Sequence, residues 1–410
     1  MTKKIINFVL SITLILLPIM KIPICFGISS SFYGAKIILL YGSASILLIL
    51  LLINYKDLSF DKVDLLLLSF LILVCISTFF SLNLRVSILG SYDRFEGMLT
   101  FIAYYIIYYS AKYFLKFDKK FIAYIIAISI VISLLAISQY FDLFFTSEIF
   151  SKEAIGGATL GNQNFLGTYI SLILPAITCL YIFKGNKILL VPNALLFFTL
   201  LITLTRSAWI AFFVYSAIGI VYIIKSKKKE YMKRFVILFA LFLVTFIVFN
   251  LLSPGAILGR YKTSKDELEN KDKAGSGRII IWKGAFTIIK NRPLLGSGPD
   301  TFVYGVNTYD RDYLVNVLIP RLNAIPDKVH NEFLQIACTI GIPALIIYLF
   351  AIALILTNLI KKDIHKNTLS FILLLCIISY LAQAFFNISV LDIAPLFWAL
   401  LGISSRKENA

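Results

Sequence analysis

The amino-acid sequence predicts an all-α integral membrane protein. Its 410 residues are 59% hydrophobic and only 15% charged, and the mean hydropathy of +0.88 is far above that of a soluble domain of this length. Apolar runs long enough to cross a hydrocarbon core as helices recur from one end to the other. The sequence lacks the alternating polar and apolar pattern of an outer-membrane barrel. Because lipid offers backbone groups no hydrogen-bonding partner, a polytopic helical bundle follows.

We expect about twelve transmembrane helices, the first of them an uncleaved signal anchor. The first apolar run follows "MTKK", which is similar to the positively charged start of a secretory signal, yet no small-residue cleavage site comes after it. The predicted segments lie near residues 5–20, 36–54, 64–80, 98–115, 121–140, 164–183, 188–205, 207–224, 235–252, 333–360, 368–387 and 393–404.

The net charge of +17 is explained by topology rather than by a nucleic-acid partner. With a cytoplasmic amino terminus, the predicted spans place the basic clusters "KSKKKEYMKR" and "KKDIHKN" and the carboxyl-terminal "RKENA" on the cytoplasmic side. The short loops on the other side carry few Lys and Arg, as the positive-inside rule requires. We therefore expect a multi-pass protein of the cell (inner or cytoplasmic) membrane, with both termini cytoplasmic, contacts to membrane lipids and no nucleic acid.

One connection, residues 253–332, is far longer than the others and falls on the outer side. It divides the chain into predicted helices 1–9 in residues 1–252, the extracytoplasmic loop, and helices 10–12 with the cytoplasmic tail in residues 333–410. A loop of this length is where function is expected. Its first part, "GRYKTSKDELENKDKAGSG", is polar and expected to be mobile. "RIIIWKGAFTIIKN" then predicts a short helix on the outer membrane surface, with a solvated loop around one apolar helix as the alternative.

Motifs for nucleotide-driven chemistry are missing from the sequence. It has no Walker loop or dinucleotide fingerprint, so ATP-driven transport has no support. The G-x-S-x-G elbow of hydrolases is also missing from the sequence. "GSGPDT" follows the predicted surface helix and opens no other, and we interpret it as a turn. Asp310 and Asp312 in "YDRD" offer the carboxylates of a magnesium site, but Arg311 lies between them and paired carboxylates are common in polar loops. No metal or cofactor is expected.

Three arginines at the predicted outer ends of spans are candidates for binding an anion, because a charge placed there costs free energy unless it has a partner or a task. Arg206 in "TLTRSAW" lies between two spans, Arg94 in "GSYDRFEGMLTF" begins the fourth span, and Arg278 in "GSGRIIIW" opens the surface helix. All three converge on one side of the membrane, and each offers the planar fork that suits phosphate. Snorkelling to headgroups is the alternative for Arg206, and an exposed loop-end charge for Arg278. Arg94 could instead form a local ion pair with Asp93 or Glu96.

His330 in "DKVHNEFLQ" is one of only two histidines and precedes the tenth apolar run. A helix amino terminus disfavours the imidazolium, so a neutral ring able to accept a proton is expected there. A general base fits this position, and so does a histidine that only caps the helix. Asn331 and Glu332 follow directly and are candidates for supporting roles. The other histidine, His365, lies among cytoplasmic positive charges.

Several stretches of the sequence carry a resemblance to a known family. They are "YDRFEGMLT", "GNQNFLGTY", "TLTRSAW", "GRIIIWKGAFTIIKNRPLLGSGPDTF" and "HNEFLQIACTIGI". In these stretches the chain resembles the O-antigen ligase and polymerase superfamily of bacterial polytopic glycosyltransferases, in the family's order over most of residues 90–345. The sequence departs from the family pattern at Thr339 and Pro343, where an acidic residue and a glycine are expected.

The resemblance implies a fold similar to the membrane glycosyltransferases of the metal-independent GT-C type. Such enzymes transfer a glycan from an undecaprenyl-diphosphate-linked donor to an acceptor on the outer face. Arg206 and Arg278 match the family's diphosphate-binding positions, and Arg94 matches a recurrent motif. By the same resemblance, His330 would take the proton of the acceptor hydroxyl as it attacks the anomeric carbon, giving inversion.

Three enzymatic variants share these features: a ligase, a polymerase that uses a second lipid-linked glycan as acceptor, and a transferase to a protein hydroxyl. A transporter of lipid-linked glycans would place charges deep in several spans of two similar halves, which the sequence does not show. A membrane scaffold would not need the outer arginines and histidine.

Overall fold

The computed structural model describes residues 2–20, 33–92, 94–143, 156–269, 277–362 and 367–406, and every regular element within them is helical. Asp93 and His365 lie outside this described part. The helices, in chain order, are α1 (Thr2–Leu16), α2 (Gly34–Ile53), α3 (Lys62–Phe79), α4 (Leu84–Leu89), α5 (Met98–Phe114), α6 (Lys119–Tyr140), α7 (Gln163–Lys184), α8 (Leu190–Ile202), α9 (Arg206–Ser226), α10 (Lys229–Leu252), α11 (Ala256–Glu269), α12 (Arg278–Asn291), α13 (Phe302–Tyr309), α14 (Arg311–Tyr313), α15 (Ile319–Leu322), α16 (Glu332–Thr339), α17 (Ile342–Lys361), α18 (Thr368–Ala384) and α19 (Ala394–Ser404). Short 3-10 turns occupy Tyr55–Asp57, Ala158–Leu160 and Lys187–Leu189, and a π-turn occupies Leu314–Leu318.

Seven of the described helices are long and apolar enough to cross a membrane by length and composition, namely α2, α3, α6, α7, α9, α10 and α17. Shorter apolar helices lie at Lys187–Ile202, Thr368–Ala384 and Ala394–Ser404. The prediction of an all-α, multi-pass membrane protein is thus confirmed, whereas the number of twelve spans stays a prediction.

Helix α7 lies at the centre of the bundle. Its apolar window is 89% buried, against 17–39% for the other six candidate spans. Small residues let neighbouring helices approach it closely: a Cβ at Gly167 would lie 3.0 Å from the Ala208 Cβ of α9. The Ser379 hydroxyl of α18 donates to the Ser171 carbonyl of α7 at 2.6 Å. The position of α7 therefore sets the positions of α9 and α18.

The described residues between α10 and α17 form a helical cap over one face of the bundle, which we call the site face. Helix α12 packs against α13 in a small second core, to which Ile281, Ala285 and Phe302 belong. The Ser77 hydroxyl near the end of α3 donates to the Leu295 carbonyl at 2.6 Å. This bond ties the cap to the membrane-spanning part.

The cap differs from the sequence prediction in two places. Residues 259–269 of the polar stretch that was expected to be mobile belong to helix α11, and residues 270–276 of it lie outside the described part. The predicted segment 333–360 is divided into α16 and α17. Gly341, between them, has a φ of +116°, and a Cβ there would lie 2.1 Å from the Leu294 carbonyl oxygen. Only glycine fits this position. Pro343 lies in the first turn of α17, which begins at Ile342, where its missing N–H costs no helical hydrogen bond.

Candidate active site

His330 lies on the turn between the cap and α16, with its backbone in the left-handed region at a φ of +53°. This conformation costs an L-residue roughly 1–2 kcal/mol, so the surroundings must hold it. Asn331 follows as the N-cap of α16. The Val329 amide donates to Gln335 Oε1 at 2.9 Å, and the Val329 carbonyl accepts from Trp282 Nε1 of α12 at 3.2 Å. The turn is thereby clamped between α12 and α16.

The imidazole of His330 is half-buried and surrounded by charges. Burial lowers the pKa of His330 to about 4; the charge of Asp327 opposes this, and the charges of Arg278, Arg94 and Lys328 reinforce it. This pKa corresponds to a neutral ring near pH 7, with burial rather than a helix terminus as the main cause. A neutral imidazole has one nitrogen lone pair free to accept a proton.

Arg94 connects the loop before α5 to the His330 turn. Its Nε lies 2.5 Å from Asp327 Oδ2, and its guanidinium carbon lies 5.3 Å from the centre of the Phe165 ring. The Tyr33 side chain is a further hydrogen-bonding partner. The strongest contact of Arg94 is therefore with the segment that bears the histidine.

Lys328 forms the centre of a buried ion network. It is 1% exposed, and its Nζ lies 2.6 Å from Asp300 Oδ1 and 3.0 Å from Glu96 Oε2. Asp300, in the "GSGPDT" turn, also accepts from the Ser91 amide and hydroxyl at 2.6 and 2.9 Å. Glu96 thus pairs with Lys328, and not with its neighbour Arg94 as one alternative suggested. The network joins the loop before α5, the "GSGPDT" turn and the His330 turn.

Glu332 anchors the start of α16 inside the bundle. Its Oε1 accepts from the Tyr348 hydroxyl of α17 at 2.9 Å, and its Oε2 from the Tyr380 hydroxyl of α18 at 3.0 Å. Burial raises the pKa of Glu332 to about 7 against the opposing effect of these two hydrogen bonds. Of the two residues predicted to support His330, Asn331 therefore caps α16 and Glu332 fastens it.

Arg278 and Arg206 each begin a helix at the site face. Arg278 is the first residue of α12 and follows Gly277, whose φ is +78°. Its charge acts on the His330 imidazole, so these two predicted site residues lie close together. Arg206 is the first residue of α9 and is half-buried.

The amino-terminal end of α7 lies between Arg206 and Arg94. The hydroxyl of Thr205, next to Arg206, is 3.5 Å from Asn164 Oδ1, and the following residue, Phe165, carries the Arg94 guanidinium on its ring. The "GNQNF" stretch thus contacts both the residue before Arg206 and the guanidinium of Arg94.

A comparison with protein families bears on these residues. Residues 191–349 match the O-antigen ligase family. The match covers less than half of the chain. A search of curated proteins found none that matches this chain. The predicted resemblance to the O-antigen ligase and polymerase superfamily is confirmed, and it supports an O-antigen ligase-like membrane glycosyltransferase in general. The matched O-antigen ligase segment contains Arg206, Arg278 and His330, whereas Arg94 lies outside it.

A second buried ion pair, which the sequence analysis did not identify, also lies outside the O-antigen ligase segment. Lys36 Nζ is 2.9 Å from Asp392 Oδ1, and both residues are at most 1% exposed. Lys36 Nζ also donates to the Thr159 carbonyl at 2.8 Å. The Asp392 charge acts on Tyr33 and on Arg94. A charge at the end of an apolar run was the one sequence signal that could have revealed this pair.

Proposed function

We propose that the protein transfers a glycan from undecaprenyl diphosphate to an acceptor hydroxyl at the site face, as an inverting and metal-independent glycosyltransferase. The observation that carries the proposal is the setting of His330, a neutral imidazole held in a left-handed turn among arginines. A proton acceptor beside fixed positive charges suits a reaction that removes a proton and releases an anion. The O-antigen ligase family supports a lipid-linked glycan as substrate.

In the proposed step, the acceptor oxygen forms a bond to the anomeric carbon while its proton passes to the free nitrogen of His330. The bond from the anomeric carbon to the diphosphate oxygen breaks on the opposite side, and its electron pair leaves with the diphosphate, so the configuration inverts. Arg206 and Arg278 bind this diphosphate and stabilise its growing charge through their forked donors.

Arg94 has a different part in the proposal. Its predicted role was also diphosphate binding, but its Nε is engaged with Asp327 at 2.5 Å. We assign it chiefly to positioning the His330 turn, because a guanidinium held by a carboxylate has fewer donors left for a ligand.

An apolar cavity next to the first turn of α9 could hold part of the hydrocarbon chain of the proposed donor. It has a volume of about 600 Å³ and is lined mainly by residues of α7, α8, α9 and α10, with Ile257 of α11 and Phe371 and Leu375 of α18; none of these described lining residues is charged. Along α9 the lining runs from Trp209, one turn after Arg206, to Ile223, a distance of about 21 Å at 1.5 Å per residue. A diphosphate at Arg206 would thus have an adjoining apolar site for its lipid.

Transfer from a defined donor tests the proposal. The purified protein would be given an undecaprenyl-diphosphate oligosaccharide and glycan, lipid or protein acceptors in the presence of EDTA. We expect transfer that resists EDTA, and the size of the product separates one-step ligation from polymerisation. Donor movement across a vesicle bilayer, with no transfer to any acceptor, would instead indicate a transporter.

A further inference from the structure

A second apolar cavity lies at the face of the bundle opposite the site face. It has a volume of about 360 Å³ and is lined by α6, α7, α18 and α19. Along α7 the lining runs from Lys184, the last residue of the helix, to Leu172, a distance of about 18 Å at 1.5 Å per residue. Half of a bilayer's hydrocarbon core is about 15 Å. The cavity therefore has the depth of one lipid leaflet.

The mouth of this cavity is basic. Lys184 and Lys119, the first residue of α6, both line it and are exposed. Asp118 also lines the mouth, but its Oδ1 caps α6 by accepting from the Lys120 and Phe121 amides at 3.0 and 2.9 Å. Helices α6 and α18 begin at this end and α7 ends there, so two positive dipole ends and one negative end leave a small net positive contribution beside the lysines.

This cavity differs from the larger cavity at the first turn of α9 in both charge and position. The larger cavity has no charged residue among its described lining residues, whereas the smaller one has Lys119 and Lys184 at its mouth. Lys184 ends α7, and the opposite end of the same helix contacts Thr205 and Arg94 at the site face. A ligand with its headgroup at Lys184 is therefore separated from the site by the length of α7.

We propose that this cavity binds an anionic glycerophospholipid of the surrounding bilayer, with an acyl chain inside the cavity and the phosphate between Lys119 and Lys184. The apolar lining stabilises the chain by burying it. The lysines favour a headgroup with net negative charge over a zwitterionic one of the same chain length. This lipid site does not depend on the transfer chemistry proposed for His330.

Lipid binding to the delipidated full-length protein tests the proposal. Native mass spectrometry would compare phosphatidylglycerol with phosphatidylcholine of identical acyl chains. We expect phosphatidylglycerol to bind about tenfold more tightly, and the double substitution Lys119→Glu with Lys184→Glu to remove this preference. The matched control is Lys116→Glu with Lys187→Glu, two exposed lysines that do not line the cavity; it should keep the preference.

A cavity-filling substitution supplies a separate readout. Ala176 lines the cavity on α7, so Ala176→Phe should weaken the binding of both phospholipids. Equal affinity of the wild-type protein for the two lipids would overturn the proposal. So would an equal loss of preference in both lysine double variants, which would show a general surface-charge effect. Tighter binding of undecaprenyl phosphate than of phosphatidylglycerol, abolished by Ala176→Phe, would assign the cavity to the donor chain instead.

Discussion

Arg94 and Asp327 are 233 positions apart in the sequence, yet Arg94 Nε lies 2.5 Å from Asp327 Oδ2. Burial raises the pKa of Asp327, but the charge and hydrogen bond of Arg94, together with smaller effects of neighbouring charges, hold that pKa below its ordinary value. The pair fastens the turn bearing His330 to a loop that lies outside the O-antigen ligase segment. The candidate site is thus assembled from distant parts of the chain.

A double-mutant cycle distinguishes positioning from diphosphate binding by Arg94. If Arg94 acts mainly through Asp327, Arg94→Ala and Asp327→Ala should each lower the transfer rate about tenfold, and the double variant should be little worse than either single one. Initial transfer rates at saturating donor would be measured for all four proteins. Fully additive losses would mean that the two residues act separately, as a direct contact of Arg94 with the diphosphate requires.

Removing the charge of Lys328 should destabilise the protein strongly. Lys328→Met leaves the Glu96 and Asp300 carboxylates buried without their cation, a change that typically costs about 3–5 kcal/mol. Thermal unfolding in detergent should show a Tm lower by several degrees, and adding Asp300→Asn should restore part of the loss. Lys290→Met, at an exposed position of α12, is the matched control. A Tm for Lys328→Met equal to that of the control would contradict the assigned network.

The pH dependence of transfer should reflect the low pKa of His330. A base with a pKa of about 4 is neutral, and therefore active, at all pH values well above 4. We expect kcat/KM to rise with pH through about 4 and to be flat from pH 5.5 to 8, since kcat/KM reports groups of the free enzyme. Asp327→Asn removes a charge that raises this pKa, so it should move the rise to lower pH. A rise centred near 6.5, the value for an unperturbed histidine, would show that the ring is not buried among cations.

Glu332 should make the protein less stable as the pH rises, whereas the transfer activity should rise with pH. Its pKa is raised to about 7, so the folded state binds the proton more tightly than the unfolded state. Its contribution to stability is full below the unfolded pKa and is lost as the pH rises through about 7. Between pH 5 and pH 8 the Tm of the wild-type protein should therefore fall more than that of Glu332→Gln. Parallel Tm curves for the two proteins would contradict the raised pKa.

The helices and the order of the candidate site residues could be predicted because both depend on local sequence. Apolar length indicates a span without knowledge of its neighbours, and the stretches around Arg206, Arg278 and His330 carry the family resemblance in short motifs. The helix over "RIIIWKGAFTIIKN" was predicted in the same way and forms α12.

The pairings between distant residues could not be predicted. Nothing local in the sequence connects Lys328 with Glu96 or Lys36 with Asp392, because each partner is selected by the packing of separate helices. Gly341 is a similar case: it has a φ of +116°, and a Cβ there would clash with the Leu294 carbonyl oxygen. This distant neighbour is not evident from an apolar run that looks continuous.

Substitution of His330 tests the central claim most directly. Because the residue has a φ of +53°, His330→Ala combines loss of the imidazole with backbone strain, whereas asparagine tolerates this conformation. His330→Asn therefore isolates the chemical role. With an undecaprenyl-diphosphate oligosaccharide as donor and EDTA present, we predict that His330→Asn lowers transfer by about 10²- to 10⁴-fold while its Tm stays close to that of the wild type. Transfer by His330→Asn at the wild-type rate would show that His330 is not the base.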